Sequence, residues 1–370
     1  MTHFACRSCR GGVGAIVLDL GRQPASDFFP AMGDPGPDPV YPLQMWLCSA
    51  CGLAQLVADP TVADEPRGAE PAALVAQAAD AVSRVAAAGL LPAGASVAEY
   101  GSPHGGSWLG LAMDRGLEHV ADTEPADVII DCFGMMHAAD QRAALAARAA
   151  RLTSGGVLLL QYHSLETIIR YGQWNALRHG HYAYYSTTAL TTMLASHCLV
   201  ARTAWRFELY GGTVLLAATP KATGCAEPDA AVRSLLDAEA TTGVRDPAVL
   251  SGLQSDTRRR VAGLREWLGA ERSAGRRVLG YGAASRAVAL LSMAGIDSTL
   301  LPGIVDASPG KRGLRMPGTD IPILDTDVLR TGQVDAVLLF VADLSTEVRA
   351  AFPEVEGAGG RWVVADTMGG

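Results

Sequence analysis

Spaced by its apolar residues, the chain changes rhythm along its length. Residues 1–58 hold several Pro and Gly and few helix signals. An Ala-rich run over 71–90 has the helical period and leads into the next unit. Short apolar runs closed by turns then alternate with helical stretches. Residues 97–101 predict a buried strand, a second ends at Asp122, "ADVIIDCFGMMH" is a third and "GVLLLQYHS" a fourth. A helix is expected from about Ser107, and "AADQRAALAARAARLTSG" reads as a helix closed by glycine. Such alternation predicts an α/β unit with a parallel sheet.

After Pro220 the pattern becomes charged helix, in "EPDAAVRSLLDAEA" and "DTRRRVAGLREWLGAERSAG". A second α/β unit opens at "RRVLGYGAASRAVALLSMAGI" with strand, glycine turn and helix. "LLPGIVDASPGKRG" adds a strand and a basic turn, and "DAVLLF" and "RWVVAD" complete a small sheet. The expected division is a lobe at 1–58, a helical linker at 59–90, α/β units at 91–220 and 273–370, and a helical connector at 221–272.

Composition narrows the class. At 370 residues the chain is too long for one ordinary core. With 49% apolar and 18% charged residues it is globular rather than disordered. A net charge of −8 argues against a nucleic-acid polymer or a membrane surface as partner. No apolar run approaches the roughly 20 residues that span a bilayer. The start "MTHFACRSCR" lacks a signal peptide's apolar region, so a cytoplasmic location is expected. The oligomeric state is not legible.

Four of the seven cysteines form two pairs, Cys6-x2-Cys9 and Cys48-x2-Cys51. In a reducing cytosol they read as thiolate ligands rather than disulfides. Each pair can form a knuckle, and two knuckles make a closed tetrahedral zinc site, which is structural because no position stays open. The long spacer between the pairs predicts that "YPLQMWLC" is a strand returning the second knuckle.

Two glycine turns carry ligand signals. The first, over 101–106, lets a backbone approach a cofactor through Gly101, Ser102 and Gly105, with Asp122 placed for a ribose hydroxyl pair. The second, Gly280 to Ala283, holds Tyr281 and Gly282, with Arg286 in the following helical turn, where free N–H groups and the helix dipole suit an anion. Lys311 and Arg312 are expected to converge on the same anion. The other reading of this half is an ordinary α/β domain with exposed basic residues.

The stretch "ALRHGHYAYYS" concentrates two histidines and three tyrosines in a chain with only 6% aromatic residues. It is either a catalytic loop or an aromatic strand edge. The order of parts, with "YPLQMWLCSACGLAQL", this loop, and "GYGAASR" through "VDASPGKRGLRMPGTDIPI", resembles the zinc-containing sugar C-methyltransferases of antibiotic biosynthesis. The resemblance covers nearly the whole chain. It implies an α/β fold with a small N-terminal zinc-binding lobe, a shortened class I methyltransferase-like Rossmann domain and a C-terminal Rossmann-like substrate domain. It also implies S-adenosylmethionine as cofactor and an anionic small-molecule substrate, a nucleotide-linked keto-sugar.

In that family a loop histidine removes the proton next to the ketone, and the enolate attacks the methyl group. The resemblance gives this base role to His181, with His179 as rival, and a substrate-contact role to His163. Tyr184 and Tyr210 join the substrate side. On an extended segment His179 and His181 would share a face. The sequence also departs from the pattern. Arg178 replaces the loop tyrosine, Gly180 its glutamate, and the glycine turn reads "GSPHGG". A helix, a strand and a loop on the adenine side have no counterpart between Asp122 and Asp127. Three functions therefore stand open: a C-methyltransferase, a relative that deprotonates, cyclises or isomerises without donating methyl, and a non-catalytic partner. The histidines speak against the third.

Overall fold

The computed structural model describes residues 4–34, 36–61, 70–102, 106–221 and 228–368. Its strands form three sheets. The first is antiparallel, in the order β1 (Gly14–Pro24), β2 (Val40–Cys48), β3 (Ala54–Leu56) and β8 (Ala183–Tyr184). β2 is the expected returning strand and ends on Cys48. β8 belongs to the histidine loop, where Ala183 and Tyr184 pair with Gln55 and Ala54. The loop is thus both a strand edge and, as shown below, a cavity wall.

The second sheet has the order β5 (Glu118–His119), β4 (Ser96–Tyr100), β6 (Ala126–Cys132), β7 (Leu152–His163), β10 (Thr213–Pro220) and β9 (Leu199–Phe207). The first four run parallel, and β10 runs antiparallel to both β7 and β9. Its inner strands read as continuous apolar runs because helices cover both faces. Ile129, Leu158 and Leu160 face one core with Leu145 and Leu190. Val128, Ile130 and Leu159 face the other with Val82, Val85 and Trp108.

β5 is only two exposed residues long, and no described strand lies beyond it. The helix expected from Ser107 is the short Leu109–Met113. Before it, the Glu99 carboxylate accepts from Ser107 Oγ and Trp108 N–H, both at 2.6 Å, and fixes the turn.

The third sheet is wholly parallel, in the order β13 (Ile323–Leu324), β12 (Ile304–Val305), β11 (Val278–Tyr281), β14 (Ala336–Leu339) and β15 (Arg361–Val364). Strand order reverses at β11, so a crevice opens at its carboxyl end. The N-terminal sheet shares a core with this unit, in which Val17, Leu18 and Met45 belong with Leu264, Val288 and Leu291. Among the described residues no helix is long and apolar enough to cross a membrane.

A buried ion pair fastens the same junction. Arg315 donates to both Asp38 oxygens, at 2.6 and 2.7 Å, and both side chains are under a tenth exposed. Burial pushes the Asp38 carboxyl up, but Arg315 and the Gly318 N–H outweigh it and hold it below its ordinary range. Asp38→Asn should cost about 3 kcal/mol, because it strands a buried guanidinium. A carboxyl depressed in the folded state stabilises fully above its unfolded value, near pH 4, and loses this as pH falls through its folded value. Urea midpoints for wild type and Asp38→Asn should therefore converge in acid. A gap constant across that range would contradict this role.

Candidate functional site

The four expected metal ligands come together. The Sγ atoms of Cys6, Cys9, Cys48 and Cys51 lie within 4.8 Å of one another, with Cys6–Cys51 at 3.5 Å and Cys9–Cys48 at 3.6 Å. Zinc–sulfur bonds of about 2.3 Å imply tetrahedral edges of about 3.8 Å, so this donor set fits zinc with little movement. The Ser8 and Gly11 N–H groups donate to the Cys6 and Cys9 sulfurs at 3.4 and 3.5 Å. The hydrogen bond from Cys51 holds the Cys6 thiol down at about 5 against its burial, and Cys51 is pushed up in return. The site braces the lobe, and Arg245 ties its second knuckle to the connector by donating to the Ser49 and Ala50 carbonyls.

The carboxyl ends of six parallel strands, from two sheets, converge on one cavity of about 320 Å³. β4 contributes Ser102, β6 Cys132 and Phe133, β7 His163, β11 Tyr281 and Gly282, β12 Asp306, and β14 Val341 and Asp343. The histidine loop supplies Arg178, His181 and Tyr184. Of the residues singled out by sequence, His163, His181, Tyr184, Tyr210, Tyr281, Gly282, Arg286, Lys311 and Ser102 share this wall.

His163 closes β7 and donates from Nε2 to Gln173 Oε1 at 2.8 Å. The amide's other end donates to the Tyr210 carbonyl at 3.3 Å, which fixes its orientation. Burial, then the Arg286 and Arg178 cations, hold the His163 imidazole down at about 3. It stays neutral and acts as a hydrogen-bonding contact. His181 is buried, and its Nε2 accepts from Arg178 Nε at 2.8 Å. The ring of His137 meets it edge-on at 4.7 Å.

His179 does not join them. It is 1% exposed, its Nε2 lies 3.4 Å from the Pro42 carbonyl, and its ring meets Tyr41 edge-on. The expectation of a shared face fails because Gly180, at φ +82°, turns the chain between the two histidines. A Cβ there would lie 3.1 Å from Asp27 Oδ2. A glutamate at 180 would need a different loop backbone.

Tyr184 accepts the Arg178 N–H at its hydroxyl, 3.1 Å, and so closes the loop on itself. Tyr210 and Phe133 are both non-glycine residues at positive φ, +55° and +60°, and their rings meet edge-on at 5.8 Å. Each such backbone costs about 1 kcal/mol, and both occur on this wall. The Arg286 guanidinium lies 5.5 Å from the Tyr210 ring centre.

The basic end differs from expectation. The Ala283 N–H, expected free for an anion, donates to Asp306 Oδ2 at 2.8 Å. Lys311 is buried, donates to the Ala283 carbonyl at 2.7 Å and stacks on Phe29. Arg312 is exposed, pairs with Asp325 and is not on the cavity wall. Among the described residues, Arg286 and Arg178 are the guanidinium groups on this wall. From the stretch expected to meet the cofactor, Ser102 and Gly106 line the cavity together with Trp108. Gly101 is exposed beside Ser102, and Gly105 lies outside the described residues. Asp122 sits on an exposed turn past β5 and is not on the cavity wall. Sequence reasoning missed His137, Phe133 and Asp343 as wall residues. Their only signal is position at a strand end.

Comparison with known proteins follows the same parts. Residues 6–61 match a family described as a proposed zinc binding domain, and residues 208–365 match the C-methyltransferase C-terminal domain. In these two parts the chain is similar to C-methyltransferases. It is 26% identical over 270 residues to the C-methyltransferase NovU of Streptomyces niveus, an alignment covering 69% of this chain and 64% of that protein. Among solved structures, it is similar to magnesium protoporphyrin IX methyltransferase of Synechocystis with bound SAH, at 13% identity. That match covers 40% of this chain and 84% of the other at a TM-score of 0.29. Haemonchus contortus phosphoethanolamine N-methyltransferase 2 matches at 10% identity, over 71% and 66% of the two chains, with a TM-score of 0.26.

If this wall takes an anion, Arg286→Ala should weaken an anionic probe such as a nucleoside diphosphate about 10- to 100-fold, the loss of one charge-assisted hydrogen bond. What binding remains should depend less on salt. Calorimetry at two salt concentrations reads both effects. An unchanged affinity would make Arg286 a purely structural partner of Tyr210.

Proposed function

We propose that the chain is an S-adenosylmethionine-dependent C-methyltransferase of secondary metabolism, acting on a nucleotide-sugar or similar anionic intermediate. The observation that carries this reading is the convergence of six strand ends and His181 on one cavity. His181 takes the proton from the carbon beside a ketone, and the electron pair moves onto the ketone oxygen. Arg286 and Arg178 offer positive charge to that oxygen or to the substrate's anionic group. His163, neutral throughout, orients a substrate hydroxyl. S-adenosylmethionine supplies the electrophilic methyl group when bound, and Ser102 with the turn before Trp108 would hold it. We assign substrate binding to residues 273–370 and a cytoplasmic location, since a reducing compartment preserves four thiolate ligands.

A second reading, proton abstraction without methyl donation, is favoured by the bare margin at β5 and the placement of Asp122. One experiment separates the two. Zinc-replete protein is incubated with a nucleoside-diphosphate keto-sugar in D2O, with and without S-adenosylmethionine. Methylated sugar with S-adenosylhomocysteine supports the first reading. Deuterium uptake beside the ketone, unaltered by S-adenosylmethionine and without methylation, supports the second. Neither product across a panel of keto-sugars would contradict both.

A further inference from the structure

We propose that Arg178 gates the base. Its guanidinium covers the Nε2 lone pair of His181 until a carboxylate or phosphate of the substrate draws it away. The inference rests on His181 as the base and adds a requirement for an anionic group within reach of the acidic carbon.

A guanidinium does not give up its proton, so the 2.8 Å bond from Arg178 Nε forms only with an unprotonated Nε2. The neutral ring then carries its proton on Nδ1. His181 is in the form a base needs, yet the atom engaged by Arg178 cannot accept a proton from carbon. The same side chain donates through a terminal nitrogen to Ser285 Oγ, beside Arg286 at the start of the helix Ser285–Ala294. Arg178 therefore spans the histidine loop and the basic end of the cavity.

Both of these acceptors are neutral. An anionic oxygen forms bonds roughly twice as strong and can take two guanidinium donors at once, so it outcompetes imidazole nitrogen and hydroxyl. Arg286 lies at the same end, next to Ser285 on the cavity wall. The backbone of Arg178 is held separately by the Tyr184 hydroxyl, at 3.1 Å, so the side chain can move while the loop stays in place. Proton abstraction becomes conditional on the anion, and a neutral ketone leaves Nε2 covered.

The test reads the histidine ring directly. Two-bond proton–nitrogen spectra of zinc-replete protein labelled with 15N-histidine give the tautomer of each ring. His181 is assigned by the signals lost in His181→Gln. In the wild type, Nε2 should appear unprotonated and Nδ1 protonated. Arg178→Met should shift the ring away from that tautomer, Ser285→Ala should shift it part-way, and Arg178→Lys should restore it in part. Inorganic phosphate or pyruvate should move wild-type His181 toward the Arg178→Met pattern, against sodium chloride at equal ionic strength. Whichever anion acts names the group recognised. Coincident wild-type and Arg178→Met spectra, or no response to either anion beyond the salt control, would overturn the gate. Spectra as predicted, with full turnover in His181→Ala, would remove the base assignment and leave the Arg178 contact standing.

Discussion

Cys48→Ser is expected to leave the protein without its zinc and its N-terminal lobe unfolded at ordinary temperature. Structural zinc contributes about 10–16 kcal/mol in small zinc peptides, far more than most single contacts. Here part of that loss is offset, because Leu43, Met45 and Leu47 also pack into the core shared with the C-terminal unit. The damage should nevertheless travel. β2 ends on Cys48, β3 pairs with β2, and β8 of the histidine loop pairs with β3. Metal analysis should find about one zinc per wild-type chain, and thermal unfolding of Cys48→Ser should show an early transition. Wild type prepared without chelator but free of zinc would contradict the assignment.

The second large effect is expected at His181. His181→Ala should lower turnover by about 10²–10⁴, the usual contribution of a positioned base. Substrate affinity should change little, because the imidazole acts mainly in the transition state. His179→Ala should leave turnover intact, since that ring faces Pro42 and Tyr41 away from the cavity. Steady-state kinetics of the two single variants separate them. Full activity in His181→Ala together with its loss in His179→Ala would reverse the roles.

The zinc lobe was the most legible part of the chain, because paired cysteine spacing encodes its geometry locally. The inner parallel strands were legible for a different reason: buried strands flanked by helices leave continuous apolar runs. Other features depend on contacts that local pattern does not carry. β8 is two residues long and exists only because β3 offers an edge. The separation of His179 from His181 comes from one positive φ at Gly180, visible as a glycine but not as a direction of turn. The anion turn failed as drawn because Asp306, from the next strand, takes the Ala283 N–H, and Lys311 folds back on the same turn. His137 lies far from the loop in sequence and meets His181 only through the turn after β6.

On the proposed function, this cavity serves S-adenosylmethionine-dependent chemistry despite its bare β5 margin. Titration calorimetry of zinc-replete protein with S-adenosylmethionine and S-adenosylhomocysteine tests it most directly. Saturable binding of both is expected at one site per chain, weakened by Trp108→Ala. No binding of either ligand to folded, zinc-loaded protein, with a nucleoside-diphosphate keto-sugar present or absent, would contradict it.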